Sequence, residues 1–172
     1  ITNLIIKYKP HEFYNLAAMS HVGISYFTGE ATLNINALST YRILESILKN
    51  HKKCKFYQAS SSEMFGSTPP PQNENSPFNP QSPYGISKVS AFYITKYFRQ
   101  AHGIFAANGI LFNHESPRRG LNFVTRKITH SLARILKGKE KKIYLGDVTT
   151  RRDWGHAKDY VEGIWLILQH RN

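Results

Sequence analysis

Short apolar runs alternate with longer amphipathic segments along this chain, and this alternation restricts the fold more than any other feature of the sequence. The apolar runs have the length of buried parallel strands and lie at residues 12–18, 55–60, 104–112 and 142–145. The amphipathic segments have apolar residues at helical spacing and lie at 31–49, 82–101, 124–136 and 157–168. This order of elements predicts a parallel sheet with helices on both faces, which is an α/β doubly wound fold.

Residues 62–83 interrupt this alternation with a polar stretch that holds most of the eight prolines of the chain. Proline removes a backbone donor and fixes φ, so a stretch this rich in proline excludes regular helix or strand. We therefore predict a long surface loop, and loops of this length in compact domains are usually functional.

The net positive charge favours an anionic partner but does not identify its class. Lys and Arg number 23 against 11 Asp and Glu, which gives a net charge of +12. Such a field attracts nucleic acid, a membrane surface or a phosphorylated small molecule. A piece of a protein separated from acidic neighbours would show the same excess, so the charge alone does not choose between these classes.

The single cysteine limits the covalent and metal chemistry of the chain. Cys54 has no second cysteine to pair with, which excludes an internal disulfide and a zinc site built on cysteines. We expect a reducing compartment, and hence a cytoplasmic location. No window approaches the roughly 18 apolar residues that a membrane span needs.

Tyr84 and Lys88 are four residues apart on a predicted helix, so their side chains share one face. An ammonium group beside a phenol stabilises the phenolate and lowers the pKa of the tyrosine from its ordinary value of about 10. Tyr84 could then act as a general base toward a substrate hydroxyl group. The same spacing occurs in ordinary pairs on solvated helix faces, so the pair alone is a weak signal.

Serines at 60–62 close the second predicted strand, at the edge where open α/β sheets bind their ligands. Ser61 could hydrogen-bond the same substrate hydroxyl as Tyr84, and Glu63 brings a carboxylate to that edge. Beside an apolar pocket, a carboxylate can move a proton to or from carbon or a leaving hydroxyl group. The alternatives are that the serines cap a helix and that Glu63 is an ordinary surface residue.

These motifs together resemble a known family. The segments NLAAMSHV (15–22), FYQASSSEMFG (56–66) and SPYGISK (82–88) are similar to the extended short-chain dehydrogenase/reductases that act on nucleotide sugars. The segments NGILFNHESPRRG (108–120), FVTRKI (123–128) and RRDWGHAKDYV (151–161) narrow the resemblance to the GDP-mannose 4,6-dehydratases. The resemblance covers essentially the whole chain and implies a Rossmann-like fold.

The resemblance implies an internal redox cycle that converts GDP-mannose to GDP-4-keto-6-deoxymannose, the reaction of a lyase. Tyr84 would remove the proton of the C4 hydroxyl group while hydride passes from C4 to NADP. The 4-ketone would acidify the C5–H bond, Glu63 would assist the loss of water across C5 and C6, and the hydride would return to C6. The catalytic residues that it implies are Ser61, Glu63, Tyr84 and Lys88.

The resemblance also assigns contacts to NADP and to the substrate. The cofactor-binding residues that it implies are Leu16, Ala17, Ala18, Met19, Ser20, Lys88, His114 and Arg119. The substrate-binding residues that it implies are Asn113, Val124, Lys127 and Arg152. Arginine suits a diphosphate because its planar fork binds phosphate oxygens in two places. Lys127 also fits the solvated face of an amphipathic helix, and that interpretation stays open.

The resemblance predicts two domains and an incomplete fold. Residues 1–112 are expected to be the C-terminal portion of a cofactor-binding domain with the catalytic residues, and 113–172 to be substrate-binding segments with the last sheet elements. No G-x-G-x-x-G turn for the cofactor pyrophosphate occurs in the sequence, so we expect an internal fragment that lacks the first strands of its sheet.

The partners implied are GDP-mannose and further copies of the same chain, without a metal ion, nucleic acid or a membrane. One alternative is another nucleotide-sugar dehydratase or a decarboxylase, since decarboxylases of the family have a glutamate like Glu63. A second alternative is a basic nucleic-acid-binding module, which needs exposed aromatic residues among its cations. Tyr93, Tyr97 and Phe98 have helical spacing and are expected to lie in the core instead.

Overall fold

The computed structural model describes residues 1–170, which form two compact units. The first unit contains Ile1–Leu111 and the chain from Gly163 onward, and the second contains Phe112–Glu162. Each unit has a parallel sheet of its own. None of the helices within residues 1–170 has the length and apolar character that crossing a membrane requires.

The first unit is built on a three-stranded parallel sheet in the order β1–β2–β3. The strands are β1 (Glu12–Asn15), β2 (Lys55–Ser61) and β3 (Ala106–Leu111). The central strand is β2, in which Phe56 lies opposite Phe13 of β1 and Ala106 of β3. Because the strands are parallel, their carboxyl ends meet at one edge of the sheet, and the residues that follow β1 and β2 lie there. The predicted α/β class and three of the predicted strands are confirmed.

The helices begin and end close to the predicted positions. They are α1 (Thr2–Tyr8), α2 (Val22–Ser25), α3 (Gly29–Leu33), α4 (Ser39–Asn50), α5 (Pro83–His102), α6 (Val124–Leu136) and α7 (Ala157–Gln169). The predicted helix 31–49 is divided into α3, a π-helical segment (Asn34–Leu38) and α4. The short helices α1 and α2 were not predicted, because each offers too few residues for a helical pattern to emerge.

Alternate residues of β2 enter two apolar clusters on opposite faces of the sheet. Phe56 faces α1, α4 and α5, where the cluster consists of Ile5, Ile43, Leu44, Ile47, Cys54, Phe56, Phe98, Ile104 and Ala106. Tyr57 faces the other way and packs with Ala59 and with Leu168 of α7. Burying each large side chain stabilises the unit by about 1.5–3 kcal/mol, so these clusters stabilise the packing of the helices on both faces of the sheet.

The proline-rich stretch is only partly a surface loop. A single 3₁₀ turn (Ser62–Met64) follows β2, and Met64 and Phe65 are fully buried. The ring of Phe78 lies 5.5 Å from that of Phe65 and 5.0 Å from that of Phe92 on α5, measured between centroids. The prediction of irregular structure is confirmed, but Phe78 connects Phe65, at the start of the loop, to Phe92 on α5.

Two expectations about burial and strands were wrong. Residues 142–145 form no strand in the described chain, and Tyr144 is 70% exposed. A run of four residues is too short for its periodicity to decide, and these have no ladder partner among residues 1–170. Tyr93 and Tyr97 are about half-exposed, and of the three aromatic residues expected in the core only Phe98 is buried.

The second unit is smaller and has little buried surface. Its sheet pairs β4 (Asn113–Glu115) with β5 (Trp154–His156), and Asn113 lies opposite Trp154. These strands are three residues long and were not predicted as separate elements. The bounds of α6 agree with the prediction, and no side chain of this helix, which lies wholly in the described chain, is buried.

Candidate active site

The first turn of α5 presents Tyr84. Ser82 caps the helix, and its side chain accepts a hydrogen bond from the N–H of Gly85 at 3.0 Å. Pro83 occupies the first helical position, where its missing N–H has no consequence. The N–H of Tyr84 donates to Oγ of Ser25, 3.2 Å away. The tyrosine therefore sits in a fully capped turn, and only 8% of it is exposed.

Lys88 lies one turn later on α5, on the same face as Tyr84. Its Nζ atom is 5.7 Å from the centroid of the Tyr84 ring, within reach of a cation–π contact. Nζ also donates to the backbone oxygen of Ala59 at 2.9 Å. The lysine is 4% exposed, and this burial lowers its pKa to about 8, because desolvation disfavours the ammonium form. The structure thus brings the predicted pair together in a buried position.

Ser61 and Glu63 lie two positions apart at the carboxyl end of β2. Oγ of Ser61 accepts a hydrogen bond from the N–H of Glu63 at 3.2 Å, so this serine caps the 3₁₀ turn. The hydroxyl group keeps its own hydrogen to donate. The hydroxyl group of the neighbouring Ser60 donates instead to Oδ1 of Asn108 on β3, 3.0 Å away. The side chain of Ser61 therefore bonds to the backbone of Glu63, whereas that of Ser60 bonds to the neighbouring strand.

Close packing at Gly85 joins the turn of Glu63 to the turn of Tyr84. A Cβ atom on Gly85 would lie 2.8 Å from the backbone oxygen of Glu63, closer than real side chains approach. Only glycine lets the two backbones meet here. The four predicted catalytic residues thus belong to two adjoining turns, and Lys88 hydrogen-bonds to the residue two positions before Ser61. Their catalytic roles stay predictions.

The predicted cofactor segment, Leu16–Ser20, leaves the sheet at the carboxyl end of β1. Leu16 and Ala17 are exposed, and Ala18 is partly exposed, so a ligand can approach this backbone. Met19 is held by Asn36, whose Oδ1 accepts from the N–H of Met19 at 2.8 Å and whose Nδ2 donates to its carbonyl at 3.1 Å.

Asn36 is a residue of this site that the sequence analysis missed. It lies in the π-helical segment, is 2% exposed, and its Nδ2 also donates to Oγ of Ser87 at 2.9 Å. It thus connects the predicted cofactor segment to α5, between Tyr84 and Lys88. The available signal was a polar residue on the apolar face of the helix, four positions before Thr40, which is also buried.

In the second unit, His114 and Arg119 are fixed by nearby groups. Nδ1 of His114 lies 2.9 Å from the backbone oxygen of Phe112, and its ring stacks on Tyr160. Nε of Arg119 is 3.2 Å from a carboxylate oxygen of Glu115, and its guanidinium lies 3.6 Å above the ring of Phe123. Such contacts hold the planar guanidinium in one orientation.

The predicted substrate-binding residues lie elsewhere in this unit. Asn113 begins β4, and its Nδ2 donates to the backbone oxygen of Asp153 at 3.1 Å. Val124 begins α6 and is exposed, as is Lys127 one turn later. Arg152 is exposed and its guanidinium bonds to the backbone oxygen of Arg151. In the described chain no cluster of three or more metal-binding side chains occurs.

Comparison with known proteins identifies the family. All of the sequence, residues 1–172, matches the family model of GDP-mannose 4,6 dehydratase. GDP-mannose 4,6 dehydratase 1 of Arabidopsis thaliana is 54% identical over 165 residues, which are 94% of this chain and 46% of that protein. The GDP-mannose 4,6 dehydratase of Homo sapiens is 50% identical over 177 residues. The chain spans less than half of the length of these relatives.

Solved structures share the fold at lower identity. RMD from Pseudomonas aeruginosa, solved with NADPH, has a TM-score of 0.89 at 24% identity, over 94% of this chain and 56% of that one. MoeE5, solved with UDP-glucose and NAD, has a TM-score of 0.83 at 26% identity. The Rossmann-like fold expected from the resemblance is confirmed. With a family match over its full length, the chain belongs to the GDP-mannose 4,6 dehydratase family.

Proposed function

We propose that the protein in its full length converts GDP-mannose to GDP-4-keto-6-deoxymannose and water, as a hydro-lyase. The observation that carries this proposal is the buried pair of Tyr84 and Lys88 beside the turn that bears Ser61 and Glu63. Those groups are a tuned base, a hydroxyl group and a carboxylate, which the oxidation and the elimination each need. The names of the relatives support GDP-mannose as the substrate.

In the first step, Tyr84 removes the proton of the C4 hydroxyl group. The Lys88 ammonium, close to the ring face, favours the phenolate form that this step requires. Ser61 donates its hydroxyl hydrogen to the same sugar oxygen and orients it. Because both Tyr84 and Lys88 are buried, little water screens their interaction, and it is stronger than it would be at the surface.

In the second step, Glu63 assists the loss of water across C5 and C6. The 4-ketone makes the C5–H bond acidic, the carboxylate takes that proton, and the C6 hydroxyl group leaves as water after protonation. The overall change removes one water molecule and leaves no net oxidation. Because the turn of Glu63 packs against the turn of Tyr84, the two residues can act in turn on one sugar.

The residues present fit a nicotinamide cofactor, and we propose NADP. An ammonium has three N–H donors, of which Lys88 uses one on Ala59, so two can bind ribose hydroxyl groups. The side chains of Ala17, which is exposed, and Ala18, which is partly exposed, are small and let a ligand approach the end of β1. When bound, the nicotinamide supplies reversible hydride transfer, from C4 of the sugar at the start and to C6 at the end. Solved relatives of the same fold contain NADPH or NAD.

Further roles that the resemblance implies are part of this proposal. Leu16–Ser20, His114 and Arg119 contact the cofactor, while Asn113, Val124, Lys127 and Arg152 bind the GDP group. The domain boundary after residue 112 and assembly into homo-oligomers belong to it as well. The single, buried Cys54 supports a cytoplasmic location, since no disulfide can form within the chain.

The decisive experiment replaces Glu63 by Gln in the full-length protein and follows GDP-mannose in the presence of NADP. We expect the variant to oxidise C4 and to stop before water loss, so that the 6-deoxy product is absent. The wild-type protein is the positive control. Full yield of GDP-4-keto-6-deoxymannose from the variant would refute the role of Glu63. A wild-type protein that loses carbon dioxide from a nucleotide-sugar acid instead would point to a decarboxylase.

A further inference from the structure

The backbone donors at the start of α5 are satisfied in an unusual way. Pro83 has no N–H. The N–H of Gly85 donates to the side chain of Ser82, and the N–H of Ile86 donates to the backbone carbonyl of Ser82. The remaining donor, the N–H of Tyr84, is not served by the cap of its own helix. It bonds to Oγ of Ser25, a residue 59 positions earlier in the chain.

The position of Ser25 suits it to accept this hydrogen bond. It ends α2, is 2% exposed, and its hydroxyl group donates to the carbonyl of Val22 at 2.6 Å. That bond uses the hydroxyl hydrogen and leaves the oxygen lone pairs to accept from Tyr84. Beside it, the hydroxyl group of Tyr26 donates to the carbonyl of Gln81 at 3.0 Å. Two successive residues thus hold the chain where it enters α5.

We propose that Ser25 is a positioning residue for Tyr84, and this inference rests on the proposed function. The phenol and the ammonium of Lys88 must keep their separation for Lys88 to favour the phenolate. Lys88 is fixed independently, through Ala59 of β2. Ser25 fixes the backbone of Tyr84 itself, so without Ser25 the phenol moves relative to both Lys88 and the sugar.

The test is Ser25→Ala in the full-length protein. We expect kcat to fall about tenfold, because misplacement of a catalytic group by a fraction of an ångström has effects of this order. The dissociation constants of GDP-mannose and NADP should stay unchanged, since Ser25 would contact neither. The isotope effect on kcat with C4-deuterated GDP-mannose should increase, as oxidation at C4 becomes slower relative to the later steps.

Two conservative variants keep the inference testable if Ser25→Ala folds poorly. Ser25→Thr keeps the hydroxyl group and should recover most of the wild-type kcat. Ser25→Cys keeps the shape with a weaker acceptor and should give an intermediate kcat. Hydrogen exchange supplies a readout apart from activity, because the N–H of Tyr84 should exchange faster in Ser25→Ala than in the wild-type protein.

Ser46→Ala is the matched control, since Ser46 is also a buried serine in a helix, on α4. It should leave kcat and the isotope effect unchanged. If Ser25→Ala loses stability but keeps the wild-type kcat and isotope effect, Ser25 is only structural and the inference is overturned. If the wild-type protein leaves GDP-mannose unchanged, the proposed function fails instead, and the exchange rate of Tyr84 still tests the hydrogen bond.

Discussion

The two units hold their predicted functional residues in different ways. In the first unit, Tyr84 and Lys88 are buried and bond to Ser25 and Ala59, which are 59 and 29 positions away. In the second unit, Arg119 pairs with Glu115, four positions earlier, and Arg152 bonds to the backbone of Arg151.

Under the proposed roles, the catalytic residues lie in the first unit and the substrate-binding residues lie in the second. Proton transfer depends on the placement of groups to within a fraction of an ångström, and long-range contacts in a packed core supply that placement. Phosphate binding depends on charge, and an exposed cation supplies that charge without many buried contacts around it. We therefore expect substitutions in the first unit to have large effects, and those in the second to have small ones.

The largest effect is expected for Tyr84→Phe in the full-length protein. The phenylalanine keeps the ring and its packing but cannot take a proton, and a positioned general base contributes about 10²–10⁴ in rate. We expect kcat for the dehydration of GDP-mannose to fall by about 10³-fold, measured as formation of the 4-keto product. Tyr93→Phe is the control, because Tyr93 lies on the same helix and is half-exposed. Equal activities of the two variants would remove Tyr84 from the mechanism.

The next effect concerns the stability of the fold around Lys88. Its pKa is lowered from 10.5 to about 8 by burial. Between these two pH values the unfolded chain binds a proton that the folded chain lacks, so the free energy of unfolding rises with pH. Below pH 8 the buried charge is retained at a cost of up to about 3 kcal/mol, from the difference of the two pKa values.

Lys88→Met should therefore be more stable than the wild-type protein at neutral pH. The difference in the free energy of unfolding should shrink as the pH rises from 8 to 10.5, and urea unfolding at several pH values measures it. Lys96→Met, an exposed lysine on the same helix, reports the general effect of removing a positive charge. If the difference in the free energy of unfolding between Lys88→Met and the wild-type protein does not vary with pH, burial does not lower the pKa of Lys88.

A smaller effect is expected where β3 passes Tyr57. A Cβ atom on Gly109 would lie 2.0 Å from the hydroxyl oxygen of Tyr57, which is fully buried. Gly109→Ala should lower the free energy of unfolding by about 1–3 kcal/mol, the usual cost of overpacking. Adding Tyr57→Phe should recover part of this loss, because that hydroxyl group has no hydrogen-bond partner in the described chain.

The second unit offers the matched control for this glycine. Gly146→Ala would meet nothing within 4 Å, and its effect on the free energy of unfolding should stay within about 0.5 kcal/mol. A loss at Gly146 as large as that at Gly109 would contradict the contrast in packing between the two units.

The sequence predicted those features that a local pattern encodes. The bounds of α6 follow from its apolar periodicity, and the start of α5 follows from Ser82 and Pro83. Ser25 and Asn36 were not predicted as residues of the site. Their partners are 59 and 51 positions away, and no local spacing in the sequence indicates such a contact. The exposure of Tyr97 was missed for a related reason, since a helical stripe does not tell how wide the covering surface is.

The smallest effect is expected for Lys127→Ala, and it tests the binding half of the comparison. Lys127 is exposed on α6, so the free energy of unfolding should change by less than about 0.5 kcal/mol. If it binds a phosphate of the GDP group, the KM for GDP-mannose should rise by no more than about fivefold, because exposed ion pairs contribute up to about 1 kcal/mol. The kcat should stay unchanged, since the contact is made equally before and during the reaction.

Lys137→Ala tests whether Lys127 makes a specific contact with a phosphate or only adds to the positive charge of α6. Lys137 follows the last turn of the same helix, is exposed, and loses the same charge. A rise in KM for Lys127→Ala alone assigns the phosphate contact to that lysine. Equal rises for both variants would mean that α6 attracts the substrate only through its summed charge, and no change in either would return Lys127 to the solvated face of an amphipathic helix.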